Sequence, residues 1–202
     1  MLEILNWKVY DLKESVIACR NAMRLTPTEY TEEEFKQSLP RAIALAKCGG
    51  GSGHSCWRNG VRVAFDIKYP NYISPELQRY HFLDIVTSSS KMHRLVKMDM
   101  DACFNKYVTP KSKAQMKELI KEYNEAKDSK ASKEVVYRAF MRVISNCPQG
   151  IELFMRCTTN YEQLATIYRQ RKNHRLREDW QAFCAFIESL PYAHELIICD
   201  KE

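Results

Sequence analysis

Gly53-His54-Ser55-Cys56-Trp57-Arg58-Asn59-Gly60-Val61-Arg62-Val63-Ala64-Phe65-Asp66-Ile67-Lys68-Tyr69-Pro70 contains two halves with different physics. From Val61 to Lys68 apolar and polar side chains alternate, with Val61, Val63, Phe65 and Ile67 in one row and Arg62, Asp66 and Lys68 in the other. Successive side chains of a strand point to opposite faces, so residues 61–68 are predicted to form a strand with one buried face. Pro70 has no N–H to donate and closes it. The half before the strand is set by glycine. Five of the six glycines lie between positions 49 and 60, in a stretch that begins at Cys48. Glycine lets the backbone adopt positive φ and lets a ligand approach the main chain. A connector with no ligand has the same composition, so both readings stand.

Working outward, residues 1–10 read as an opening strand, and Asp11 as the N-cap of a helix over 12–24 that Pro27 closes. Thr31 starts a short acidic helix, and Pro40 starts or kinks another over 40–48. Downstream of the central strand, Ser74-Pro75-Glu76 opens a helix expected to run to about Val86. It is followed by a polar loop, 87–94, that includes Ser88, Ser89, Ser90, Lys91, His93 and Arg94. Hydroxyls and basic groups together suit an anion. Thr109-Pro110 opens a long helix over 110–127, and Ser132 caps another over 133–145. A turn at 148–150 leads to a strand beginning at Ile151. Asn160 and Gln163 form a capping pair for a helix over 161–172, and a last helix spans about 176–189.

Composition narrows the class. With 202 residues, 45% hydrophobic and 28% charged, the chain suits one globular domain spanning 1–202. No apolar run is long enough to cross a membrane, and the first ten residues lack a signal-peptide pattern, so the expected location is cytoplasmic. The eight cysteines are scattered singly, which favours buried free thiols over a disulfide framework. Cys48, His54 and Cys56 lie close in sequence, but no C-x-x-C pair exists, so no metal site is expected. Much of the net charge of +6 sits in the run from Arg169 to Arg177. That run is either a solvated helix end or an anion site. Aromatic residues are not interleaved with it, which argues against nucleic acid as the partner.

Several stretches resemble the flavin-dependent thymidylate synthase family, in which G-H-x-S/T-x-x-E-H precedes an alternating strand ending K-x-P. Gly53, His54, the strand, Lys68 and Pro70 fall in that register, with Asn59-Gly60 in place of Glu-His. Ala22-Met23-Arg24-Leu25-Thr26 is similar to the family's A-A-R-V-S, and Cys157-Thr158-Thr159-Asn160-Tyr161-Glu162-Gln163-Leu164 to its T-x-N-x-R-x-L. Arg171, seven residues after Leu164, matches the Arg of the family's L-R, and Asp179 replaces its Glu in R-x-x-x-x-A-Q-x-E. The likeness covers residues 12–190 in order. It implies an α/β (α+β) fold, an antiparallel or mixed sheet flanked by long helices, and a homotetramer with active sites shared between subunits. It further implies FAD as cofactor, a pyrimidine deoxynucleotide monophosphate as substrate, and methylenetetrahydrofolate and NADPH as co-substrates. Thr26, His54, Ser55 and Asn160 would then contact the flavin, with Gly50 and Gly51 supplying backbone amides to its pyrophosphate.

The family's R-H-R followed by S-x-x-E-x-S-x-R should fall within residues 78–94, and no Arg-His-Arg is there. One register sets Gln78 on a family Gln; another sets Thr87 on the first Ser and Arg94 on the final Arg. A nucleotide phosphate wants a guanidinium fork, and a reduced flavin wants fixed positive charge beside it. Arg171 and Arg94 are the catalytic candidates, and Gln78, Ser88, Ser89, Ser90, Arg94 and Arg171 the substrate-binding ones. Arg79, Lys91 and His93 could supply charge from new positions, while His81 reads as a packed or capping histidine. Two functions follow. One is C5 methylation or hydroxymethylation of dUMP or dCMP. The other is a catalytically degenerate nucleotide- or flavin-binding protein on the same scaffold.

Overall fold

A computed structural model describes residues 2–48 and 52–199. Its centre is a four-stranded sheet in the order β1-β2-β4-β3, with β1 Glu3–Tyr10, β2 Arg62–Pro70, β3 Asp84–Ser88 and β4 Glu152–Asn160. Every pairing is antiparallel. The alternation in β2 does what it predicts. Val63, Phe65, Ile67 and Tyr69 are buried beside Leu153, Met155 and Cys157 of β4, in register through Phe65 opposite Cys157. Fully burying a Val, Ile or Phe side chain stabilises by roughly 1.5–3 kcal/mol, so this row anchors the fold.

The helices lie around that sheet: α1 Leu12–Ala18, α2 Glu32–Ala46, α3 Ser74–Leu77, α4 Lys91–Arg94, α5 Pro110–Asp128, α6 Lys133–Asn146, α7 Tyr161–Arg171 and α8 Arg177–Glu188. One π-helical turn, His194–Ile198, follows. The amphipathic helix α8 lays Trp180, Phe183 and Phe186 on the buried face, with Phe183 and Phe186 edge-on or tilted to Phe65 at 5.9 and 5.2 Å. The long helices α5 and α6 form a hairpin in which Tyr123 meets Phe140 at 5.8 Å. No helix among the described residues is long and apolar enough to cross a membrane.

Four of the predicted helix starts have their expected caps. Thr31 accepts from the amide of Glu34, Thr109 from Ser112, Ser132 from Val135 and Asn160 from Gln163. Other boundaries differ from expectation. The first helix ends at Ala18 and gives way to a 3-10 turn at Asn21–Met23, because Met23 is exposed and buries nothing. Asp11 sits at the N-cap position in left-handed conformation, but its carboxylate accepts from the Ser15 hydroxyl rather than from a helix amide. The two helices expected at 31 and 40 are one. α2 runs through Pro40 because Phe35, Ala42, Leu45 and Ala46 are buried on both sides of it, offsetting a proline cost of about 3 kcal/mol. The helix expected to reach Val86 stops at Leu77, and residues 84–88 are the edge strand β3. Ile85, Val86 and Thr87 are β-branched, and Ile85 and Thr87 pair with the open side of β4 around an irregularity at Val86, which outweighs the local helix start.

Candidate functional site

The loop between α2 and β2 is pinned at two points. Arg58, almost fully buried in a 3-10 turn at Cys56–Asn59, donates through Nε to Glu162 Oε2 on α7 at 2.6 Å and through Nη1 to the Leu196 carbonyl at 3.1 Å. Gly60, one residue later, lies so close to α1 that a Cβ there would strike the buried Ser15 hydroxyl. Gly53 takes a φ of +75°, the left-handed conformation that glycine adopts without steric cost. Between Gly53 and Gly60 the chain therefore presents His54 and Trp57 to a cleft of about 980 Å³ whose other walls come from α1, the turn after it and α2.

The chemistry of that cleft is cationic on an apolar floor. Arg20, Arg41 and His54 line it together with Ala18, Leu45 and Trp57, and among the described residues no carboxylate does. Trp57 Nε1 is a buried donor with no partner among the described residues. On the far side of the 20–24 turn, Arg24 and Thr26 line a smaller pocket of about 280 Å³. Arg20 and Arg24 both donate to the same Glu34 oxygen, Arg20 at 3.0 Å, while Arg24 Nη1 is buried without a partner among the described residues. Buried polar atoms normally have partners, so such orphans mark where a ligand or water belongs.

The predicted residues divide. His54 lines the cleft, and Ser55 beside it is buried. Thr26 lies in the neighbouring pocket. Gly50 and Gly51 lie outside the described residues. Asn160 is buried and occupied as the cap of α7, its Oδ1 accepting from the Gln163 amide at 2.8 Å. Gln78 is exposed and donates to Ser74 Oγ at 3.2 Å. Ser88 ends β3, and Ser89 extends the pairing, its hydroxyl accepting from the Phe154 amide at 3.1 Å. Ser90 is the N-cap position of α4, and Arg94, at the end of α4, is exposed. Arg79 and His81 are exposed, Lys91 is half-buried, and His93 lines a separate apolar pocket of about 550 Å³ with Tyr123 and Phe140. None of Gln78, Ser88, Ser89, Ser90, Arg94, Asn160 or Arg171 lines the large cleft.

Arg171 is committed elsewhere. Its Nη1 donates to Glu76 Oε2 at 2.9 Å and its Nε to the Tyr80 hydroxyl at 2.6 Å. Its guanidinium stacks on Trp180 at 4.3 Å. Glu76 also accepts from Trp180 Nε1 at 2.8 Å, with His174 Nε2 at 3.8 Å. Burial pushes the Tyr80 hydroxyl above its ordinary pKa, with the Arg171 contact pulling against it. The cluster is a closed ion pair of α3 and α7 roofed by aromatics. Sequence reasoning missed Arg20, Arg41 and Trp57 as cleft residues. Their only signal was that Arg20 stands one helical turn before Arg24 of the resemblance motif.

The chain shares its fold with flavin-dependent thymidylate synthases of known structure. The flavin-dependent thymidylate synthase of Helicobacter pylori, crystallised with FAD and dUMP, superposes with a TM-score of 0.68 at 16% identity, covering 98% of this chain and 100% of that one. A second crystal structure of the Helicobacter pylori enzyme with FAD and dUMP gives 0.65 at 15% identity, with both chains covered in full. A UMP/dUMP methylase from Streptomyces cacaoi, bound to 5-bromo-dUMP, gives 0.57 at 14% identity over 97% of this chain and 93% of that one. No protein-family profile and no curated protein sequence matches the chain.

Proposed function

We propose that the protein binds FAD in the large cleft and modifies C5 of a deoxypyrimidine monophosphate, dUMP or dCMP, by methylation or hydroxymethylation. Methylenetetrahydrofolate would be the carbon donor and NADPH the reductant. The observation that carries this reading is the cleft itself: a cationic cavity lined, among the described residues, by no carboxylate, with an apolar floor and an indole donor that has no partner there, on a fold shared end to end with proteins crystallised with FAD and dUMP. A dinucleotide needs cations for its phosphates and flat apolar surface for its rings, and the residues present fit both needs. Bound there, a reduced flavin would supply the hydride. His54 would contact it, Trp57 would donate its free N–H, and Ser55 and Thr26 would line its flanks. Assembly as a homotetramer with shared sites, in the cytoplasm, belongs to the same reading.

A second reading is favoured by one observation. Arg171, which would orient the nucleotide, already has its fork filled by Glu76 and Tyr80. On this reading the protein keeps the ligand sites and has given up catalysis. The test begins with the visible absorption spectrum of the purified protein, before and after adding FAD. A perturbed flavin spectrum followed by turnover of dUMP or dCMP with the folate and NADPH establishes the first reading. A perturbed spectrum without turnover establishes the second, and no flavin binding at excess FAD refutes both.

A further inference from the structure

We infer that Arg20, Arg24 and Arg41 form a diphosphate-recognition site where this cleft, lined by Arg20 and Arg41, meets the smaller pocket lined by Arg24, supplying from α2 and the turn after α1 the charge that an Arg-His-Arg motif would have brought. The inference rests on the flavin reading for the rest of the ligand, but not for its phosphates. Three features of the cluster carry it. The first is charge balance. The two guanidiniums of Arg20 and Arg24 share a single carboxylate, Glu34, and Arg41 makes no ion pair or hydrogen bond among the described residues. Among these four groups, three cations and one anion leave an excess of two, the charge a diphosphate diester carries.

The second feature is unspent hydrogen-bonding capacity. Arg24 Nη1 is buried and has no acceptor among the described residues, while Nη2 of the same guanidinium donates to Glu34. A guanidinium buried with a free donor is costly unless something accepts from it. The third is convergence from two sides. Arg41 on α2 and Arg20 in the turn after α1 line the same cleft from two different elements. All three side chains act on one reporter: burial pushes the Cys19 thiol up, and Arg41, Arg20 and Arg24 each pull it down. Arginine forks take phosphate oxygens in pairs, and an extended diphosphate offers oxygens to both walls.

The test uses the intact protein with ADP, FAD and riboflavin as probes, followed by calorimetry or flavin fluorescence, with circular dichroism to verify folding of each variant. Arg41→Ala and Arg20→Ala, both at partly or fully exposed positions, are expected to weaken ADP and FAD about tenfold each while leaving riboflavin unchanged. Glu34→Gln, which releases two guanidiniums from their internal acceptor, is expected to strengthen ADP binding several-fold. FAD binding that neither arginine variant weakens would overturn the inference and leave the flavin reading standing. Arginine-dependent ADP binding with no gain from the flavin half would uphold the diphosphate site and sink the flavin reading. Failure of the wild type to bind either ADP or FAD would overturn both.

Discussion

Replacing Glu76 with alanine removes the acceptor on which Arg171 and Trp180 converge, and the structure sets the size of the effect. Glu76 Oε2 receives Arg171 Nη1 at 2.9 Å and the indole N–H of Trp180 at 2.8 Å. The Arg171 side chain is 13% exposed and that of Glu76 23%, while Trp180 is fully buried. A hydrogen bond to a charged partner is worth roughly 1.5–3 kcal/mol, and a buried indole left without an acceptor costs roughly 1–3. Some water can reach the carboxylate, so the lower part of the combined range applies, about 3 kcal/mol. Glu76→Gln keeps an acceptor for the indole and loses only the charge, so about 1 kcal/mol is expected.

The assay is urea unfolding at equilibrium, followed by tryptophan fluorescence. With a slope of about 2 kcal/mol per molar urea, the midpoint should fall by about 1.5 M for Glu76→Ala and about 0.5 M for Glu76→Gln. A double-mutant cycle with Arg171→Met should show that most of the loss is shared between the two positions. A midpoint shift below about 0.3 M for Glu76→Ala would refute the reasoning, because the cluster would then not contribute to stability. If the same variant also bound dUMP more tightly than the wild type, Arg171 would be a ligand anchor held in reserve by Glu76.

Two further outcomes are expected. Gly60→Ala forces a methyl against the Ser15 hydroxyl, so overpacking of about 2 kcal/mol should lower the melting temperature by about 5 °C, with recovery in the Gly60→Ala/Ser15→Gly double variant; an unchanged melting temperature would contradict the close approach. In native protein at pH 8, exposed Cys56 should react with a thiol reagent while Cys103, Cys157 and Cys184 stay unlabelled. Burial pushes these three thiols up to about 11, about 12 and about 11, so almost none of their thiolate exists at that pH. Peptide mapping of the label decides it, and rapid labelling of Cys157 would mean that β4 is not buried as described.

What could be read along the chain was whatever its local physics determines. Strand β2 is legible because each second side chain must leave water, and the caps Thr31, Thr109, Ser132 and Asn160 are legible because a hydroxyl or amide satisfies an amide three residues on. His54 was legible as a site candidate through its motif. Strand β3 was not, since all five of its residues are exposed and it exists only by pairing with β4, some seventy residues later. Nor was the cleft. Arg20 and Arg41 line one cleft only because α1 and α2 pack together, and Trp57 joins them because Arg58 ties the glycine loop to Glu162, 104 residues away. Arg171 reads in sequence as a free cation at the end of a basic helix. Glu76, 95 residues upstream, turns it into half of an enclosed ion pair. Residue type and short-range spacing determined strands β1, β2 and β4, the capped helices and the kinds of charge available. Which charges are spent inside the molecule and which are left for a ligand was decided by long-range packing, because an ion pair forms only where the folded chain brings two distant groups together out of water.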